Sequence, residues 1–190
     1  MPIQRHKPNH KAKSAKRGKM TMNAKAIVYT SNTGHTKQYA EMLGKETGLP
    51  VHSLEEAGHI LDKGCVIVYM GWTKANHVQG YRAAAKGFGI CAVCAVGLSE
   101  TGTMEREVRN ATKIPQGTPL FTIQGGIARG SLKGLDRFMI GMIEKGLASK
   151  AQRTGQEDDM LALIKTDATC VCTENLAQVL KWWNETNAVK

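Results

Sequence analysis

The sequence predicts an α/β chain: a three-layer α/β/α sandwich around a five-stranded parallel sheet of order 2-1-3-4-5. Three observations carry this. Strand-like and helix-like runs alternate along the chain, about five of each, as in a parallel sheet covered on both faces. The run Gly64–Met70 (GCVIVYM) is apolar at almost every position, which suits a central strand buried on both sides. The apolar run Ala26–Tyr29 stops at Thr30, passes through the polar loop Ser31-Asn32-Thr33-Gly34-His35-Thr36, and opens a helical pattern with Tyr39, Ala40, Leu43 and Gly44.

The remaining elements follow in order. The first helix runs to Thr47, with Gly48 as its C-cap. Leu49–Leu54 reads as a short strand whose Pro50 suits a sheet edge. Glu55–Asp62 is a connector with room for one helical turn. Gly71-Trp72-Thr73-Lys74 follows the central strand, and Val78–Lys86 reads as a helix closed by Gly87 and Gly89. Ile90–Val96 is the next strand, ending in Gly97-Leu98-Ser99. Met104–Ala111 is a charged helix, and Pro119–Gln124 is a strand ending in Gly125-Gly126. Leu132–Ser149 is an amphipathic helix, Met160–Lys165 a short apolar segment, and Glu174–Thr186 the last helix. On Leu132–Ser149 the apolar residues Leu132, Leu135, Phe138, Met139, Met142 and Ile143 form one stripe. We expect most of it to be core, with Met139 and Met142 the favoured exceptions.

Composition narrows the function. The 190 residues suit one domain, residues 23–187, and 42% are hydrophobic. No apolar run reaches the length of a membrane span. Net charge is +10, yet residues 1–25 hold Arg5, Lys7, Lys11, Lys13, Lys16, Arg17, Lys19 and Lys25 without an acid. The basicity belongs to a tail, which argues against specific nucleic-acid binding by the folded part. Residues 1–22 bury too little to order themselves, and three readings of them stand: an arm for RNA or anionic lipid, a solvated tail, or an upstream extension before a start at Met20 or Met22. The last two are favoured. The five cysteines are read as small core residues in a reducing, cytoplasmic setting. Cys91 and Cys94 lie on one strand, where alternation sends them to opposite faces, so no metal site is expected. No triad, carboxylate pair or HExxH is present, and His35, His52, His59 and His77 are isolated in sequence; catalytic residues are not assigned.

The loop 31–36 suits one phosphate. A helix start offers free N–H groups and a positive dipole end, Ser31, Thr33 and Thr36 add hydroxyls, and Gly34 lets an anion come close. No P-loop lysine is present. In the predicted sheet a ligand lies beyond strands one and three, between this loop, Gly71-Trp72-Thr73-Lys74 and Gly97-Leu98-Ser99, where Trp72 can stack on a flat ring.

Ser31-x-Thr33-Gly34-x-Thr36 after the first strand resembles the phosphate loop of the flavodoxins, which holds the phosphate of FMN. The body from Ala24 to Trp183 resembles the flavodoxin-like fold. Gly125-Gly126-Ile127 followed by Leu135-Asp136-Arg137-Phe138-Met139-Ile140-x-Met142-Ile143 is similar to the C-terminal part of the menaquinone-dependent protoporphyrinogen IX dehydrogenase (flavodoxin domain) family. The chain departs from that family at 97–118, where the family carries a longer basic insertion. The resemblance implies an FMN-binding oxidoreductase passing electrons through the flavin, with a quinone, a porphyrinogen or an electron-transfer protein as partner. It implies phosphate contacts at Ser31, Thr33, Gly34 and Thr36, and ring contacts at Trp72 and Gly97. Thr30, Asn32, His35, Gly71, Thr73, Leu98, Gly125 and Gly126 complete the candidate set. Two alternatives stand beside a general flavin redox protein: a protoporphyrinogen IX dehydrogenase of heme biosynthesis, and a flavin-free binding module of the same fold. Peripheral contact with a membrane surface is left open, and the sequence assigns no oligomeric state.

Overall fold

The computed structural model describes residues 23–128, 130, 132, 134–166 and 168–187. The chain runs β1 (Ala26–Thr30), α1 (His35–Thr47), β2 (Val51–Ser53), α2 (Leu54–Ile60), β3 (Val66–Lys74), β4 (His77–Val78) and α3 (Tyr81–Gly87). It continues through β5 (Gly89–Gly97), α4 (Glu105–Thr112), β6 (Leu120–Gln124), α5 (Gly134–Ala148), α6 (Gly155–Thr166), a 3-10 turn at Thr173–Leu176 and α7 (Ala177–Asn187). The tail, residues 1–22, lies outside the described residues, and the expectations about it with it.

The sheet order is β2-β1-β3-β5-β6, every neighbouring pair parallel, with β4 folded back antiparallel on the end of β3. Without that hairpin strand the order is the expected 2-1-3-4-5, and the fold is the flavodoxin-like three-layer sandwich. One face carries Ile27, Val68, Met70, Cys94, Val96 and Ile123 against Tyr39, Ala40 and Leu43 of α1 and Val179 of α7. The other carries Val28, Ile67, Tyr69, Val93 and Ala95 against Ala57 of α2, Tyr81 and Ala84 of α3 and Val108 of α4. Burial of each large side chain here contributes about 1.5–3 kcal/mol. A third, smaller cluster of Ile127, Leu132 and Ile164 joins Ile140 and Leu147 of α5 and Met160 of α6 to the edge of the body.

Five sequence expectations need correction. First, β3 does not stop at Met70. Gly71 and Trp72 pair with Ala95 and Val96, so the segment 71–74 is strand. Second, Val78 is not helical: Ala75 and Asn76, both at positive φ, turn the chain back, and Val78 pairs with Thr73. Third, Cys91 and Cys94 face the same side. The register slips between Ile67 and Val68, leaving Cys91 as the extra residue of a bulge, and both cysteines enter the α1–α7 face. Fourth, only these two of the five cysteines are buried, and all five are free. Fifth, most of the apolar stripe is not core: Leu132 is buried and Met142 is an expected exception, but Leu135 and Phe138 are exposed as well. Leu135, Phe138 and Met142 are 67%, 64% and 60% exposed, because α5 packs chiefly on α6 at the rim of the sheet and not on its face. No described helix is long and apolar enough to cross a membrane.

Candidate functional site

The loop Ser31–Thr36 is shaped by its own side chains. Gly34 takes φ +94°, a conformation that a Cβ would strain, and its N–H donates to Ser31 Oγ at 3.1 Å. Its carbonyl accepts from Gln38 N–H at 3.0 Å and so starts α1. Thr33 Oγ1 lies 2.9 Å from Nδ1 of the buried His35. Thr36 is 2% exposed, its hydroxyl makes no hydrogen bond among the described residues, and yet it is not sealed in: it borders a cavity.

That cavity, of about 270 Å³, lies beyond the carboxyl ends of β1, β3 and β5. Its polar end is made by Asn32, Thr33, His35, Thr36, Lys74 and Asp136. Trp72, Thr73, Gly97 and Leu98 form the wall along the sheet. The apolar end comes from Ile127, Leu132 and Met160 with Met139, Ile140 and Ile143 of α5, which roofs it. Half of the α5 stripe therefore turns inward onto the cavity while Leu135, Phe138 and Met142 face out.

The remaining candidates fall elsewhere. Thr30, Ser31 and Gly34, together with Asn32, border a second, shallower hollow of about 470 Å³ on the β2 side of the loop, with Lys37, Ser53 and Glu55. The loop is thus the partition between two spaces. Thr30 Oγ1 donates to the Gln79 carbonyl at 2.8 Å and meets Tyr69 Oη at 3.1 Å, so its hydroxyl is committed to the fold. Gly71 is buried, and a Cβ there would stand 2.6 Å from Val78 and 2.7 Å from the Gln79 carbonyl; it borders neither space. Gly125 likewise packs on Val96 and His35, whereas Gly126 reaches the cavity. A Cβ on Gly126 would lie 2.7 Å from the Ala168 carbonyl and 3.2 Å from His35 Nε2, so this position is set by the close approach of two neighbours. A Cβ on Gly97 would stand 2.6 Å from Thr73 Oγ1 and push that side chain out of place. His77 is exposed on β4 and does not border the cavity.

Two side chains meet here whose pairing the sequence reading did not give: Lys74, placed there in the segment after the central strand, and Asp136, quoted only within the resemblance. Asp136, in the first turn of α5, accepts from Lys74 Nζ at 2.5 Å and from Asn32 Nδ2 at 3.3 Å. One carboxylate thereby ties the roof helix to both β3 and the loop. Lys74 lies 62 residues from Asp136 in sequence, and no local pattern links them.

α1 itself is fixed from below. Tyr39 Oη donates to the Gln124 carbonyl at 2.5 Å and lies 3.0 Å from the Cys170 carbonyl, and Asn175 Nδ2 donates to it at 2.9 Å. Burial raises the Tyr39 phenol above its ordinary pKa against the lowering effect of Asn175. The phenol stays a neutral donor and holds the loop helix to the end of β6. Among the described residues no group of three His, Cys, Asp or Glu side chains is gathered as a metal site would need.

No protein-family model and no curated protein matches the chain. The likeness to the protoporphyrinogen dehydrogenase group therefore rests on the residues quoted from 125–143 alone.

Proposed function

We propose that the protein binds FMN in this cavity and acts as a redox protein through it. The observation that carries the reading is the Thr36 hydroxyl: it makes no hydrogen bond to a described residue and opens on the cavity at its polar end. A hydroxyl donor open to the cavity at a helix start suits a phosphate oxygen as its acceptor. The graded lining suits FMN, with a phosphate against the loop and a flat ring between Trp72 and the apolar roof. The bound flavin would supply the electron chemistry. The chain's own residues would hold the phosphate through Thr33, Thr36 and the first turn of α1. Trp72 and Leu98 would bound the ring, and Met139, Ile140 and Ile143 would keep water from it. An apolar electron partner, such as a quinone, suits the roof better than a charged one, and a porphyrinogen substrate is the narrower form of the same reading.

Absorbance of the purified protein tests this directly. The expected result is a flavin spectrum, or its appearance on adding FMN, with preference over FAD because the loop offers a single anion site. A colourless protein whose melting temperature ignores millimolar FMN would leave the flavin-free binding module as the reading.

A further inference from the structure

The roof helix is tied down by a group of the same charge as the proposed guest. Asp136 takes donors from Lys74 and Asn32, one on each oxygen. Asn32 sits in the middle of the loop, and Lys74 at the end of the strand beside it. The ion pair is neither sealed nor free, with 31% and 28% of the two side chains exposed. The helix has no buried residue, and Leu135, Phe138 and Met142 on its outer side are uncovered by any described part of the chain.

We propose that Lys74 and Asn32 are further ligands for the guest's phosphate, and that Asp136 is an internal competitor that holds α5 down until a phosphate takes its place. A phosphate presents pairs of oxygens at nearly the spacing of a carboxylate's, so it can accept from the same two donors. It carries more charge than a carboxylate, and so takes the ammonium more strongly. The unpartnered Thr36 hydroxyl on the same cavity wall adds a donor that Asp136 does not engage. An anion at the loop therefore has more to gain there than the carboxylate it displaces. Once released, Asp136 faces a like charge, and the first turn of α5 lifts away. The identity of the guest as FMN is taken from the reading above; the exchange of partners at Lys74 needs only an anion.

Two substitutions in the full chain separate binding from mere support. Asp136→Asn keeps the shape and removes the competing charge. Lys74→Gln removes the cation that both anions use. Each breaks the ion pair, so each should speed amide hydrogen exchange across 134–148. Their effects on anion affinity should be opposite. Asp136→Asn should tighten FMN several-fold, and Lys74→Gln should weaken it about tenfold, the loss of one charge-assisted contact. Lys74→Arg should restore most of that affinity. Riboflavin, which lacks the phosphate, should respond in the same direction to Asp136→Asn and Lys74→Gln, since both loosen α5 alike. In the wild type, inorganic phosphate alone should speed exchange over 134–148, and in Asp136→Asn it should add nothing. Equal effects of a substitution on FMN and riboflavin, or the same sign for Asp136→Asn and Lys74→Gln on FMN, would overturn the proposal. If neither flavin binds the wild type, the FMN reading fails, and the response of 134–148 to inorganic phosphate still decides whether Asp136 is displaced.

Discussion

Replacing Gly34 with valine isolates what the loop conformation is for. The backbone there has φ +94° and ψ −22°, and a built Cβ meets nothing within 4 Å. The effect is therefore backbone strain, free of any clash. An L residue in this region costs about 1–2 kcal/mol, and a β-branched one toward about 3 kcal/mol. For a chain of this size each kcal/mol moves Tm by roughly 2–4 °C, so the melt should fall by roughly 4–12 °C. To relieve the strain the chain would rotate φ to negative values. That would break the bond from Gly34 N–H to Ser31 Oγ and turn the first N–H groups of α1 away from the cavity. FMN affinity should fall by at least about tenfold. Gly64→Val is the matched control. Gly64 has φ +83°, equally open space, and a place before β3 remote from the loop. Its Tm should drop by a similar amount with FMN affinity intact. The measurements are thermal unfolding by circular dichroism and flavin fluorescence titration. Near-normal affinity in Gly34→Val, or an equal loss in both variants, would refute the assignment of the anion to this loop.

Three further outcomes are expected. Burial raises the Cys91 thiol from 9.0 to about 11 and the Tyr69 phenol from 10.0 to about 12. Both groups are held protonated by the fold, so their contribution is complete below the unfolded values and is lost as pH rises through the folded ones. Tm should accordingly decline from pH 9 upward, and Tyr69→Phe combined with Cys91→Ala should flatten the slope; an unchanged slope would contradict it. Phe138→Ser and Met142→Gln alter only exposed side chains of α5, and each should change stability by no more than about 0.5 kcal/mol. A fall of several degrees in the melt would put the stripe in a core after all. Removal of residues 1–21 should leave both Tm and flavin affinity unchanged, since their composition offers little to bury; a clear loss of either would mean that the tail packs.

The parts of the fold that local chemistry decides were legible. The end of α1 at Thr47 followed from Gly48, which takes φ +70° as its C-cap. The central place of Val66–Met70 followed from its two-sided apolarity. What failed was set by partners far away. Ala75-Asn76 lacks the Asn-Gly or Asp-Gly signal of a tight hairpin, so β4 went unseen; Thr112 on α4 supports it by accepting Val78 N–H at 2.9 Å. The bulge at Cys91 has no mark in the sequence, and it reversed which faces the two cysteines share. In the candidate set, Asn32, Thr33, His35 and Thr36 border the cavity, because a strand–loop–helix is a local motif, whereas Thr30, Ser31 and Gly34 turn to the other hollow. Gly71 and Gly125 were read as ligand-facing because a glycine after a strand looks the same whether it admits a guest or a neighbouring side chain. Asp136 was quoted only as part of a resemblance, since its partners Lys74 and Asn32 come from distant elements.

The anchoring of Tyr39 has a consequence for timing. Its hydroxyl reaches 85 residues along the chain to Gln124, 131 to Cys170 and 136 to Asn175. On the ribosome the loop and its helix emerge before the groups that fix their pose, which follow 85 to 136 residues later. Contacts of such span are slow to close, because the intervening chain must first be gathered. A nascent chain thus holds the strand–loop–helix motif long before it holds the groups that orient it. The pose of the loop helix is completed by Cys170 and Asn175, residues that lie outside the cavity lining.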